Sequence, residues 1–479
     1  MLLRIAKNDW RNLRSDRTLW AVAALLACTI LYGVHNGASW VSFQKATINA
    51  ALADETERHN HIKQGIADAN AGRTAPASWK DPRNPYAVGY RLGSRYATMP
   101  PAPLAALAVG QSDLLPYYFR VTVNSRDTLM GNDEIENPIH LLSGRFDLAF
   151  VIIYLFPLVI LALSYNLISG EKEDGTLAMT LSQPVSVRTL ALGKIGLRAA
   201  FVLGLGAILS LTGALLSGVD VLAVGVGPRM AAWIAVVAAY TLFWFGLAVA
   251  VNARGYSSAT NAMALSGFWL VFVLLVPSML NVVVKNVHPV PSRVEMIQAM
   301  RRASDEVVAQ RSRVMAAFLE DHPELAPASP GDTAAQYAIR TVAVTEEVER
   351  RVQPVLSAFD EQVARQQELA DRYRFFSPAV LVQAALYDLA GTSVHRYKHF
   401  MSLATAFHEQ WQAHIQPMMV RSVKLDGPGI DQLPKWHYRE EPTRSVLTRV
   451  LPNLTALLLV AVLVVLWGAK SVGRYPVAG

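Results

Sequence analysis

Apolar residues along this chain do not alternate with polar ones. They gather into six runs, 18–34, 146–168, 192–216, 230–251, 259–284 and 446–468, separated by polar segments of very unequal length. Each run, coiled as a helix, covers a hydrocarbon layer of about 30 Å. In lipid only a helix or a closed barrel satisfies its own backbone, and the absence of strand alternation selects the helix. Residues 1–17 carry a different pattern. Leu3, Ala6, Trp10 and Leu13 recur at helical spacing on one face, and Arg4, Lys7, Arg11 and Arg14 form a stripe offset by one position. That pattern predicts a helix lying in the membrane interface with Trp10 among the headgroups. The plainer alternative is a basic flank that orients the first span.

Two long segments, 35–145 and 285–445, interrupt the runs. The first opens with a polar helix pattern over 42–70 and continues as a Pro/Gly-broken stretch through Pro103. The second holds helical patterns over 292–319 and 333–375, the latter expected to kink at Pro354. Its charges Glu346, Glu347, Glu349, Arg350 and Arg351 read as a solvated face. The predicted fold is an all-α integral membrane protein: six transmembrane helices, an N-terminal amphipathic interfacial helix, and a helical external domain formed by the two large loops. Short segments at 169–191 and 469–479 complete the layout.

Composition agrees. Of 479 residues, 52% are hydrophobic and only 17% charged, with a mean hydropathy of +0.25; a soluble protein carries more charge. The net charge of +7 matters through its placement. The N-terminal basic residues, Lys172, Arg188, Lys194 and Arg198 after span two, Arg254 after span four, and Lys470 and Arg474 after span six all fall on one side of a six-span protein. That side is expected to be cytoplasmic. The basic residues then face anionic lipid, not nucleic acid. A single cysteine, Cys28, excludes an intrachain disulfide and a cysteine metal cluster. The first run reads as an uncleaved anchor, because its basic flank is long and no clean small-x-small site follows it.

The most informative segment is ISGEKEDGTLAMTLSQPVSVRTLALGK, running from Ile168 to Lys194. Glu171, Lys172, Glu173 and Asp174 crowd together, Gly175 and Thr176 break the run, and the apolar Leu177–Leu181 is closed by Ser182 and Pro184. So charged a turn cannot lie in hydrocarbon. It suits a small surface helix that offers carboxylates and a few apolar side chains to a soluble partner.

This segment closely resembles the cytoplasmic loop of type-2 ABC transporter permeases. NPIHLLSGRFDLAFVIIYLFPLVILALSYN (137–166) and FFSPAVLVQAALYDLAGTSVHRYKHF (375–400) resemble a subfamily with large external loops and a domain of unknown function, grouped near permeases linked to multicopper-enzyme maturation. The resemblance implies a non-catalytic half-transporter in the bacterial inner membrane. It would pair with a second permease chain, itself or a paralogue, and with a cytoplasmic ATPase dimer that binds ATP and magnesium. It also implies that Glu171, Glu173, Gly175, Thr176, Leu177, Ser182 and Pro184 couple ATPase motion to the spans. Their carboxylates are expected to pair with basic residues across that interface or on the N-terminal helix. No cofactor is expected in the chain, which lacks a phosphate-binding loop: Gly193-Lys194 has Arg188 in place of the earlier glycine and Ile195 in place of the hydroxyl.

Other residues admit two readings each. The small residues of span three (Gly196, Gly204, Gly206, Ala207, Ser210, Gly213, Ala214) permit close packing within one bundle or at a dimer contact. The aromatics of span four (Trp233, Tyr240, Phe243, Trp244, Phe245) line a substrate route or fill a core. His395 and His399, at i, i+4, with His408 and His414 beyond, have the spacing of metal ligands or form an exposed face; no metal site is assigned. Phe375, Phe376, Ser377 and Pro378 mark a helix break that shapes the external domain. No ionisable residue sits in the middle of a span, which argues against a secondary transporter. The rival functions are a mechanotransmitter acting on a periplasmic partner and, last, a membrane-anchored metalloenzyme.

Overall fold

The computed structural model describes residues 2–15, 17–73, 77, 80–124, 145–290, 292–325 and 333–475. Six of its helices are long and apolar enough to cross a bilayer, and the architecture is the all-α membrane fold expected from the apolar runs. Residues 137–144 of the second family-like segment lie outside the described residues, as does the side chain of Arg4.

Helix α1 (Leu2–Ser15) is followed by α2 (Arg17–Asn70). The first span and the polar helix expected over 42–70 are thus one uninterrupted rod. Asn36 and Gly37, a turn signal in sequence, stay helical because of what they touch. The Asn36 amide donates to the Phe146 carbonyl at 2.8 Å. Gly37 lies so close to the Ala106 backbone that a Cβ would fall 2.1 Å from its carbonyl oxygen. After α2 comes the only sheet among the described residues: β1 (Arg95–Thr98) pairs antiparallel with β2 (Tyr118–Val121), Arg95 opposite Val121. It sits in the stretch read as irregular, where short aromatic and β-branched runs suffice for a two-stranded ribbon packed on a helix.

Span two, α3, runs from Leu148 through a wide π-helical turn at Val151–Leu155 into Phe156–Ser164. Two short helices follow, α4 (Ser169–Glu173) and α5 (Leu177–Leu181), then the spans α6 (Val187–Leu216) and α7 (Val226–Asn252). Span five, α8, runs over Ser258–Val287 with a second π-helical turn at Leu270–Leu275. The large second loop contains α9 (Arg293–Ala309), α10 (Arg311–Asp321), α11 (Thr333–Tyr373), α12 (Pro378–Ala390), α13 (Val394–Val420) and α14 (Gly427–Asp431), before the last span, α15 (Thr443–Val472). A capping box between Ser292 and Glu295 starts α9. The pattern expected over 292–319 breaks at Gln310, and α11 continues as one helix through Pro354.

Helix α7 forms the centre of the bundle. Trp233, Tyr240, Phe243, Trp244 and Phe245 are all buried, and the Tyr240 hydroxyl donates to the Ile153 carbonyl at 3.0 Å. These aromatics belong to the core, and Trp233 also borders a lateral groove beside α6. Where α7 crosses α15, a Cβ on Gly246 would fall 2.8 Å from Val465 and one on Gly468 would fall 3.1 Å from the Ala250 nitrogen. Two glycines therefore set the closeness of that crossing. The small residues of α6 divide. Gly206 faces Phe156 and Gly213 faces Val34, whereas Gly196 and Gly204 have nothing within 4 Å of where a Cβ would stand.

Helix α12 lies inside the segment expected to be wholly external, yet Leu381, Val382, Ala385, Leu386 and Leu389 belong to the same core as the spans. The chain reaches it by descending beside α8. The Gln366 amide donates to the His288 carbonyl just past the end of α8, at 3.0 Å. The Ser377 hydroxyl donates to the Phe272 carbonyl in the π-helical turn, at 2.7 Å. Residues 366–377 thus travel to the middle of span five, and α12 climbs back. Phe375–Pro378, expected to shape an external domain, form the vertex of this re-entrant hairpin. Above the bundle a separate head joins the far half of α2, the two strands, α11 and α13 through Trp40, Ile62, Phe119, Val342, Phe400 and Trp411.

Candidate functional site

At the end of the bundle opposite the head, α4 and α5 form an elbow. Gly175 sits between them at φ +71°, the left-handed conformation that closes α4. Thr176 N donates to Glu171 O at 2.9 Å and Asp174 N to Gly170 O at 2.9 Å. Nothing lies within 4 Å of a Cβ built on Gly175, so the turn needs glycine for its backbone and not for space. Leu177 is buried against Leu167, Ile168, Leu190, Val249 and Val472, which anchors the elbow to four spans at once. Ser186 caps α6 by accepting from Thr189 N at 3.1 Å. The outer surface of the elbow, Asp174, Thr176, Met179, Ser182 and Pro184, is exposed, and Met179 is 70% accessible.

The carboxylates hold the elbow to its own chain. Glu171 pairs with Lys194 of α6 at 2.6 Å, and Lys194 also donates to the Leu167 carbonyl at 3.1 Å. Glu173 accepts from Ser258 N at 2.7 Å, where its charge meets the positive end of α8. Neither finds its partner on the N-terminal helix. That helix contributes an acid instead: Asp9, buried, takes both arms of Arg198 at 3.2 Å, and Arg198 also donates to the Leu163 carbonyl. Trp10 lies tilted against Phe201 of α6, ring centroids 6.0 Å apart. Lys7, Arg11 and Arg14 are exposed.

Behind the elbow a buried polar chain joins three spans. Ser169 and Ser258 hydroxyls lie 2.9 Å apart. Asn261 donates to Ser169 Oγ and to Asn252 Oδ1, each at 3.3 Å, and Asn252 donates to the Ser164 carbonyl at 2.9 Å. Glu173, Ser258, Ser169, Asn261, Asn252 and Ser164 therefore form one connected path from the exposed elbow into α3, α7 and α8. Sequence reading overlooked Asp9, the pairing role of Lys194 and Arg198, and this path. The signal was present in Asn252 and Asn261, neutral polar residues near the ends of apolar runs.

Three of the four histidines have partners within the chain, and the buried Nε2 of His414 has none. His395 Nδ1 lies 3.3 Å from Asp388, His399 Nε2 lies 2.8 Å from the Arg439 carbonyl, and His408 is buried 2.7 Å from the Asn124 carbonyl. Among the described residues no three His, Cys, Asp or Glu side chains gather as metal ligands do.

Comparison with known proteins adds two findings. Residues 293–439 match a domain of unknown function, DUF3526; that range includes both the head helices and the re-entrant hairpin. Over 133 residues the chain is 33% identical to the "Probable ABC transporter permease protein NosY" of Pseudomonas aeruginosa, a match covering 26% of this chain and 46% of that relative. The chain thus spans about half the length of the curated relative it matches. It is a helical membrane protein similar to an ABC transporter permease, with a domain of unknown function between its fifth and sixth spans.

Proposed function

We propose that the chain is the non-catalytic membrane-spanning subunit of an ATP-binding cassette exporter of the bacterial inner membrane. In this reading it works as a dimer with a second permease chain, on a separate ATPase pair that supplies ATP and magnesium. Both termini and the elbow face the cytoplasm, and the head faces outward. The observation that carries this reading is the build of the elbow. Its outer ridge is exposed around Met179, while Leu177, Glu171 and Glu173 tie it to the ends of the spans. A docked ATPase that pushes the ridge moves α6 through Lys194 and α8 through the Ser258 backbone. Lys7, Arg11 and Arg14 stand on α1 beside it for lipid phosphates or the same partner.

The test has two arms. Met179→Glu is expected to weaken co-purification with the ATPase while leaving the fold intact. Charge reversal at Glu171 and Glu173 is expected to leave hydrolysis running but uncoupled. Unchanged assembly and coupling in all these variants, or surface labelling of a Met179→Cys variant from outside the cell, would overturn the assignment. A second reading, force transmission to a periplasmic partner without conduction, draws on the unbroken α2 and on the filled core around α7. A continuous cavity through the assembled dimer would eliminate it.

A further inference from the structure

The re-entrant hairpin encloses one side of a cleft of about 570 Å³ against the outer half of α8. Its polar lining includes Gln367, Asp371 and Arg374 on the descending arm, Asn281 on α8, and Gln383 and Asp388 on α12, with His395 beyond. The opposite wall is aliphatic, from Leu280 and Val284. The level is fixed by two bonds already described, Gln366 to His288 and Ser377 to Phe272. Phe272 stands at the midpoint of Ser258–Val287, so the vertex lies level with the middle of span five. Arg374, three residues before Ser377, is therefore a cation far below the membrane surface.

Charges at that depth are costly and persist where they meet a partner, water or a ligand. Arg374 has a partner in Asp371 at 3.1 Å and stacks over Phe375, guanidinium 5.2 Å from the ring centroid. Its Nε is walled in by the chain, so the guanidinium meets the cleft through its terminal nitrogens. Asp388, at the outer end of the cleft, lies 3.3 Å from His395 and 3.7 Å from Arg449. The cleft thus offers a guanidinium at its floor, two carboxylates along its length and an aliphatic wall. At the vertex Phe375 and Phe376 are exposed, as apolar side chains that face lipid are.

We propose that this cleft binds one phospholipid with a zwitterionic phosphoethanolamine headgroup, entering sideways from the outer half of the bilayer. The terminal guanidinium nitrogens of Arg374 take a phosphate oxygen, the Asp371 carboxylate beside them receives the ammonium, and an acyl chain follows the wall of α8. The site does not depend on the elbow or on an ATPase, so its test is independent of the coupling reading.

The full-length protein is placed in nanodiscs of phosphatidylethanolamine and phosphatidylglycerol, and retained lipid is read by native mass spectrometry without any ATPase present. The wild type is expected to keep one phosphatidylethanolamine in preference to phosphatidylglycerol. Arg374→Gln is expected to lower that retention about tenfold, the value of one hydrogen bond to a charged group. Ala384→Phe, which adds bulk to the cleft and removes no charge, should lower it as well, and thermal unfolding of both variants reports whether they fold. Gly204→Leu, in the separate lateral groove beside Trp233, should leave it unchanged. Equal retention of the two lipids by the wild type, or undiminished retention in both cleft variants, or equal loss in Gly204→Leu, would overturn the proposal.

Discussion

Helices α7 and α8 follow one another in the chain and are equally apolar, yet 78% of the apolar window of α7 is buried and only 11% of that of α8. The first is a scaffold. It carries the largest buried side chains in the bundle, Trp233 and Trp244 among them, and meets α15 at two glycines. The second is a margin. Met263, Phe268, Leu274, Met279 and Val283 point away from the rest of the chain, and α8 is held mainly by what borrows its backbone: Glu173 at its start, Ser377 at its middle, Gln366 at its far end. Asn261 and Trp269 add bonds to the neighbouring spans, and only a thin line of residues, Leu265 and Val273 among them, packs into the core, so α8 is attached more by hydrogen bonds than by buried area. The comparison teaches that two spans of the same apolarity can be attached to a bundle in quite different ways.

The contrast can be broken in graded steps. Trp244→Ala in α7 is expected to cost about 3 kcal/mol or more through the cavity it leaves, whereas Met279→Ala in α8 should stay within about 0.5 kcal/mol; thermal unfolding in detergent compares them. Asp9→Ala, which strands Arg198 with one partner fewer, should cost roughly 3 kcal/mol, and limited proteolysis should then release α1. Ser377→Ala should cost about 1 kcal/mol yet loosen the hairpin from α8 selectively, seen as faster hydrogen exchange around residues 270–275 with α7 unchanged. Gly175→Ala, forcing a side chain into the left-handed region, should cost about 1 kcal/mol and raise exchange in the elbow only.

The smallest effect is one of pH at the joint between head and bundle. Burial pulls the Glu440 carboxyl upward, but the Arg396 guanidinium, 2.6 and 2.8 Å away, overrides it and holds the group below the ordinary carboxylate range. Because the folded value is depressed, this pair contributes fully above the unfolded value of about 4.3 and is lost as pH falls through the lower folded value. Acidification below about pH 4 should therefore expose the Pro100 segment, which Arg396 also holds at 2.7 Å. Glu440→Gln should flatten that dependence in pH-resolved proteolysis.

Much of this was legible in the sequence because membrane spans declare themselves by length and apolarity. The elbow was legible for a related reason: Glu171 to Asp174 cannot be buried in lipid, and Gly175 can only be a turn. What the sequence concealed were partners. Glu171 looked outward until Lys194 was placed beside it, and α1, read as a basic face, turned out to fasten itself through its one acid, Asp9. The hairpin was hidden because PAVLVQAALYDLA is too short to span and lay in a loop otherwise rich in charge. A run of that length signals a buried or re-entrant segment, and only the Ser377 bond to a carbonyl freed by the π-helical turn shows which.

The unbroken α2 has a consequence for scale. A helix from Arg17 to Asn70 is roughly 80 Å long at the helical rise. A tilt of about 5° at its membrane end would swing its tip by roughly 7 Å over that length. Angular changes too slight to disturb the packing of the bundle thus become displacements as wide as a side chain is long, delivered wherever the tip of the rod rests.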